Sequence, residues 1–314
     1  MQIKQVTTKK EWEDFLSTQD PSIYVQSWGY GEFNKKMGDD FVVIGIYKDE
    51  KIVGGAMFLE INARRGKFLY APYSPILDYK DSDLMKQFFV QAKEIAKSRK
   101  IDFIRISPFE DDKDIHIKNL RKLGFKKAPM HMIAETTWIL PLNDNEEDLL
   151  RNMKQNHRNL VRRADRDGVK VLTSKDTKDV AKIHELLVTT SKRHKFIPFS
   201  LKYLETEFET FLESDSARIF LAYHEEDLLA AAIVFYYGDT AVYKHGASNM
   251  LKPKIPASYA IQWAAIKEAK KRGLKYYNFW GIAPEGEKKH PFYGITHFKK
   301  GFNGFQKDLI PAQD

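Results

Sequence analysis

One arrangement of elements is written into this chain twice. Residues 218–281 contain IFLAY, a polar turn HEED, the apolar run LLAAAIVFYY, a turn GDT, then AVYKHGAS, a helical stretch and YYNFWGI. Residues 41–108 keep that order in different letters: FVVIGIY, KDEK, IVGGAMFL, ARRGK, FLYAPYS, a helical stretch and FIRISP. The spacing barely drifts. Tyr47 and Tyr223 are 176 residues apart, as are Ala56 and Ala232, while Tyr70 and Tyr243, and Ile101 and Leu274, are 173 apart. Short apolar runs broken by Gly- and Asp-containing turns predict antiparallel hairpins, and self-similarity at a fixed offset predicts a duplicated unit. Each copy is expected to be a three-stranded meander followed by a helix and one more strand.

With 314 residues, 43% of them hydrophobic and 13% aromatic, the chain has material for two packed cores. A net charge of +8 favours a polyanionic partner without identifying one, and adds a weak pull toward an anionic membrane face. The absence of cysteine removes disulfides, thiolate metal sites and cysteine nucleophiles, and suits a reducing compartment. No apolar run approaches the length of a membrane span, and MQIKQVTTKKEWEDF lacks the apolar core of a signal peptide, so a cytoplasmic location is expected.

Residues 9–17 predict a short helix with Trp12, Phe15 and Leu16 on one face. In QSWGYGEFNKKMG (26–38), Trp28, Tyr30 and Phe33 either pack into the core or face a ligand. Residues 82–99 form an amphipathic stripe, and 114–123 a helix ended by Gly124. HMIAETTWILPL is expected to be a strand leaving the first unit. Residues 145–167 predict one helix, opening with Glu146, Glu147 and Asp148 at the positive end of its dipole. Its Leu150, Met153, Leu160 and Ala164 share one side, while Arg151, Lys154, Arg158, Arg162 and Arg166 gather on another that is either a solvated face or a track for phosphates. A helix over 180–192, the Pro-broken KRHKFIPFSLKYLETEF and an Ala-rich helix capped by Gly273 follow. The tail, HPFYGITHFKKGFNGFQKDLIPAQD, is by composition the most site-like segment.

Familiar catalytic signatures are missing. The nine histidines show no HExxH spacing, and there is no GxSxG, Walker loop or dinucleotide fingerprint. Two sheets of the predicted order resemble tandem GNAT-type acyltransferase domains, an α+β fold with mixed, mainly antiparallel sheets flanked by helices. Members of that fold bind acetyl-coenzyme A through a glycine-rich nest whose N–H groups close on pyrophosphate. Here the corresponding stretches are SPILDYKDSD and NMLKPKIPAS, in which proline removes donors. No cofactor is expected.

Two such halves, RNLVRRADRDGVKV, RHKFIPFSLKYL and the tail HFKKGF together resemble the Fem family (FemA, FemB, FemX), whose members build peptidoglycan interpeptide bridges from aminoacyl-tRNA. The resemblance covers nearly the whole chain, and without an inserted helical hairpin it points to the compact FemX-like type. It implies a first domain, 1–140 with 302–314, that binds the acceptor, and a second, 141–301, on the aminoacyl-tRNA side. Phe298 and Lys299 match the family's Phe-Lys pair, which implies that Lys299 steadies the tetrahedral intermediate. Tyr203 matches the precursor-binding tyrosine and Arg193 a frequent arginine before it. Four residues before Tyr203, however, the family's arginine is Phe199. The aspartate ending the first domain's strand is Ser107, an aromatic of the Y-x-Y-x-G-S stretch is His245 beside a retained Tyr243, and the first-domain lysine falls near Asn34, with Lys35 and Lys36 adjacent.

The implied activity is transfer of an amino acid from aminoacyl-tRNA to an amine of a nucleotide- or lipid-linked muramyl peptide. Lys154, Arg158, Arg162 and Arg166 are the candidates for tRNA phosphates, no metal is involved and no general base is nominated. Two other functions stay open: an N-acyltransferase taking an acyl thioester to a small amine or lipid, and a non-catalytic module binding tRNA or precursor.

Overall fold

The computed structural model describes residues 1–64, 66–194 and 196–314; Arg65 and Lys195 of the motifs above lie outside them. The chain divides into two compact units, Met1–Thr136 with Lys307–Asp314, and Thr137–Gln306.

In the first unit, β1 (Gln2–Val6), β2 (Phe41–Lys48), β3 (Lys51–Ala63), β4 (Gly66–Pro72) and β5 (Phe103–Ser107) form a five-stranded sheet in sequence order. All neighbours are antiparallel except β4 and β5, which run parallel with Phe68 opposite Phe103. A parallel pair needs a crossover, and α3 (Ser82–Ser98) supplies it, burying Met85, Phe88, Phe89, Ala92 and Ala96 against the sheet. α1 (Lys9–Leu16) buries the expected Trp12, Phe15 and Leu16. The aromatic–glycine segment resolves into α2 (Trp28–Met37), capped by the Ser27 side chain at one end and by Gly38, at φ 109°, at the other. Tyr30 and Phe33 are buried and Trp28 packs edge-on against Phe41, which is the core-packing alternative. After α4 (Asp114–Lys122), the final residues return to this unit: Arg105 forms a two-pronged ion pair with the Asp314 side chain, at 2.5 and 2.6 Å.

The second unit repeats the theme in a larger sheet. β6 (Thr136–Pro141), β7 (Val169–Ser174), β8 (Ala217–His224), β9 (Asp227–Tyr237), β10 (Thr240–Ser248), β11 (Tyr276–Gly281) and β12 (Phe305–Asp308) lie in the order β12-β6-β11-β10-β9-β8-β7. Again the meander β8-β9-β10 is antiparallel, and β10 meets β11 in parallel after the crossover helix α9 (Ala257–Lys271). One core forms between this sheet and α9, from Phe220, Ala232, Val234, Ile261, Ala265, Phe279 and Phe302 among others. On the sheet's other face lie α7 (Asp179–His194) and α8 (Leu201–Leu212).

The single helix expected over 145–167 is in fact two, α5 (Glu146–Asn152) and α6 (Gln155–Arg166), and the buried face is Leu149, Met153, His157, Val161 and Ala164. Lys154 is extended, at φ −52° and ψ 141°, because its N–H donates to the Gly301 carbonyl. Arg158 answers the helix end this exposes: its Nη1 donates to the carbonyl of Arg151 at 2.6 Å.

Candidate active site

The tail folds as α10 (Tyr293–Lys300), and this short helix carries Lys299 inward. Lys299 is 5% exposed, its Nζ donates to the Gly281 carbonyl at 2.7 Å, and the Tyr243 and Phe292 rings each lie 5.9 Å away. Among the described residues no carboxylate is paired with it. Burial without a counter-ion disfavours the ammonium, and the amine is pushed down to about 7. At neutral pH this group can both give and take a proton.

Two devices aim that amine. At the end of β11, Trp280 sits at φ 67°, a strained conformation for an aromatic residue, held by its N–H donating to Asn278 Oδ1 at 2.7 Å. The turn presents the next carbonyl, that of Gly281, to Lys299. Thr296 accepts a hydrogen bond from the Ala283 N–H at 2.8 Å and so ties the same segment to α10. From the other side, the buried His157 of α6 holds the helix end: its Nε2 is 2.9 Å from the Phe298 carbonyl, which makes that nitrogen the donor. Burial pushes the imidazole down, and its Nδ1 is enclosed without a partner among the described residues, both consistent with a neutral ring. Gly301 lies so close that a Cβ there would stand 2.0 Å from the ring. Phe298 is half-buried and turned into this packing, with its ring 5.0 Å from Tyr259 and 5.3 Å from Phe302.

A β-bulge between Tyr243 and His245 splits the other candidates into two groups. Tyr243 packs with the core on the α9 side, close over Gly246, where any Cβ would meet its hydroxyl at 1.7 Å. His245 turns to the α7–α8 side and is buried there with Glu207, its Nε2 2.6 Å from Glu207 Oε2. Above this pair, the ring of Phe199 stacks on Tyr203 at 4.4 Å and meets His245 edge-on at 5.4 Å. Arg193 is exposed and donates to the Ser248 carbonyl at 3.3 Å. The bulged residue itself, Lys244, places its Nζ 4.4 Å from the Trp280 ring, and burial lowers its proton affinity.

Sequence reasoning missed Glu207, His157 and the Gly281 carbonyl. Glu207 had a signal: it falls on the stripe Leu204, Phe208 and Phe211 of α8, where an acid needs a buried partner. The carbonyl had none, since it depends on a backbone angle.

The basic residues of α5 and α6 have separate fates. Lys154, Arg162 and Arg166 are exposed, while Arg158 is half-buried in its capping role. In the first unit, Lys35 and Lys36 are exposed at the end of α2, with Lys35 3.4 Å from Asp40, and Asn34 is buried, donating to the Tyr30 carbonyl. Ser107 is buried at the end of β5 and accepts a hydrogen bond from the Tyr70 hydroxyl at 3.3 Å. Among the described residues no cluster of His, Asp or Glu could hold a metal ion.

A meander, a crossover helix and a parallel last strand, present twice along one chain, define a tandem GNAT-like protein. A solved tandem GNAT protein from the clavulanic acid biosynthesis pathway has this fold, with a TM-score of 0.63 and 11% identity over 99% of this chain and 97% of that one. Residues 7–227 and 221–310 match the FemAB family, and the chain belongs to it. The crystal structure of FemX is similar over 100% of this chain and 97% of that one, at a TM-score of 0.88 and 21% identity. Among curated proteins, lipid II:glycine glycyltransferases of Staphylococcus haemolyticus (strain JCSC1435) and Staphylococcus aureus (strain MRSA252) are 22% and 23% identical over 98% of this chain and 91% of each relative.

Proposed function

We propose that this protein is an aminoacyltransferase that moves an amino acid from aminoacyl-tRNA to an amine of a lipid-linked peptidoglycan precursor. The observation that carries the reading is Lys299, a buried amine with no counter-ion, aimed by a strained turn in a member of the FemAB family. Relatives named as lipid II:glycine glycyltransferases support a lipid-linked acceptor. So does Phe199, which puts an aromatic ring against Tyr203 where the family's arginine would offer a cation.

In the reaction, the acceptor amine attacks the ester carbonyl of the aminoacyl-tRNA. The C–N bond forms, the bond to the ribose oxygen breaks, and the proton lost by the attacking amine goes to that oxygen. Charge develops on the carbonyl oxygen in between. A donor aimed at it is worth about 3 kcal/mol of barrier, and Lys299 is assigned that role. An ester is already activated, so alignment supplies much of the remaining acceleration. Exposed Lys154, Arg162 and Arg166 are assigned to tRNA phosphates, Arg158 to shaping the helix that carries them, and Tyr203 with Arg193 to the precursor.

The test is transfer from a panel of charged tRNAs to lipid-linked and nucleotide-linked muramyl peptides. Lys299→Met is expected to lower kcat by about a hundredfold or more with little change in KM. Full turnover by that variant refutes the role of Lys299, and no transfer by the wild type to any precursor refutes the function.

A further inference from the structure

Five large apolar side chains in the second unit face solvent within two loops: Phe196 (44% exposed), Ile197 (94%) and Phe199 (47%) in one, Met250 (57%) and Leu251 (67%) in the other. The loops leave from one place. The last turns of α7 are fastened to the end of β10, where Thr190 and Arg193 both donate to the Ser248 carbonyl at 2.9 and 3.3 Å. One loop continues from α7 and passes His245 with Phe199, while the other begins just after Ser248.

The charge that the two loops themselves carry has one sign. No acid occurs between Glu185 and Glu205, a stretch with four Lys or Arg residues, and none between Asp239 and Glu268, where Lys252 and Lys254 lie on the loop. Lys192, Arg193, Lys202 and Lys254 are exposed. Acid lies beside the second loop only in the turn between β8 and β9, among the described residues, where Glu225 and Asp227 pair with Lys252 and Glu226 is exposed, so cations remain in excess. Apolar tips flanked by an excess of cations suit the headgroup–acyl boundary of an anionic bilayer, where apolar insertion and electrostatic attraction act together. Nucleic acid would use the cations and the Phe196 and Phe199 rings but not Ile197, Met250 and Leu251, the three aliphatic tips that include the two most exposed, since it is bound by charge and by stacking on aromatic rings. Among the described residues no helix is long and apolar enough to cross a membrane, so attachment at this face would be peripheral.

We infer that the loops carrying Ile197 and Leu251 form a docking surface for an anionic lipid membrane. Its use in catalysis, bringing Tyr203 to a membrane-borne acceptor, rests on the reading of the acceptor as lipid-linked; the docking itself does not.

Full-length protein is sedimented with vesicles of phosphatidylcholine alone and of phosphatidylcholine mixed with phosphatidylglycerol. The wild type is expected to pellet with the mixed vesicles and to be released by salt. The double variant Ile197→Asp, Leu251→Asp should bind at least tenfold more weakly, because two inserted side chains are lost, with an unchanged near-ultraviolet circular dichroism spectrum. Ile197→Trp should show a blue-shifted emission on mixed vesicles, quenched by brominated acyl chains. Failure of the wild type to pellet, or equal pelleting of the double variant, overturns the inference. A double variant that loses tRNA retention while both proteins ignore vesicles does so too, and assigns the face to nucleic acid. Vesicle binding without any aminoacyl transfer leaves the docking surface standing and removes the proposed function instead.

Discussion

Replacing Lys299 with methionine should make the protein more stable at neutral pH. An amine that is 5% exposed and pushed from 10.5 down to about 7 is protonated more readily in the unfolded chain than in the native one. Between those two values the unfolded state binds the extra proton, so stability rises with pH across the window and is lowest below it. At about 1.4 kcal/mol per tenfold change in proton affinity, the full difference is about 5 kcal/mol. Water reaching the site and relaxation around the ammonium reduce this to the roughly 1–4 kcal/mol gained when buried charges give way to apolar groups of similar volume. Against it stands the hydrogen bond to the Gly281 carbonyl, worth about 1 kcal/mol. The expected net gain for Lys299→Met is therefore about 1–3 kcal/mol at pH 7. Above pH 10.5 the wild-type amine is neutral in both states and keeps its hydrogen bond, so the order should reverse by about 1 kcal/mol. Urea unfolding followed by tryptophan fluorescence, at several pH values from 6 to just above 10.5, measures both numbers. A variant no more stable than wild type at pH 7, or a difference that does not shrink as pH rises, refutes the account of Lys299 as a charge-destabilised residue.

Two further substitutions probe the supports of the site. Gly301→Ala forces a methyl group into the buried His157 ring and should cost about 1–3 kcal/mol by overpacking in a thermal melt, with much of it recovered by adding His157→Ala; a neutral Gly301→Ala contradicts the packing described. Glu207→Leu strands the His245 N–H in the core and should cost about 1–3 kcal/mol, whereas Glu207→Leu with His245→Phe should recover most of it. A double variant whose loss equals the sum of the singles would show that the two side chains act independently.

Much of the fold was legible because its signals are local. Apolar runs of strand length separated by Gly- and Asp-containing turns, repeated at an offset of 176 or 173 residues, specify two meanders whatever packs around them. The stripe of α3 is equally self-contained, since its burial needs only an apolar sheet face beside it. Lys299 was found through the likeness of its short motif, not through any property of a lysine between an aromatic and another lysine. The break between α5 and α6 could not be found in that way. Residues 145–167 keep a helical pattern throughout, and what interrupts it is the Gly301 carbonyl, 147 positions further along the chain than Lys154, taking that residue's N–H.

The sequence by itself therefore determined the architecture: two copies of a mainly antiparallel sheet with a crossover helix, because hydrophobic period and turn chemistry act over a few residues. It also determined which lysine to examine. Tertiary structure alone decided what that lysine is. Its low proton affinity comes from desolvation, by the Tyr243 ring and the Gly281 segment, which belong to two strands of the sheet, and by Phe292 at the start of its own helix. The same holds for the bulge that sends Tyr243 and His245 to opposite faces, and for the pairing of His245 with Glu207. Electrostatic character depends on what surrounds a charge in space, and the order of residues along the chain does not state it.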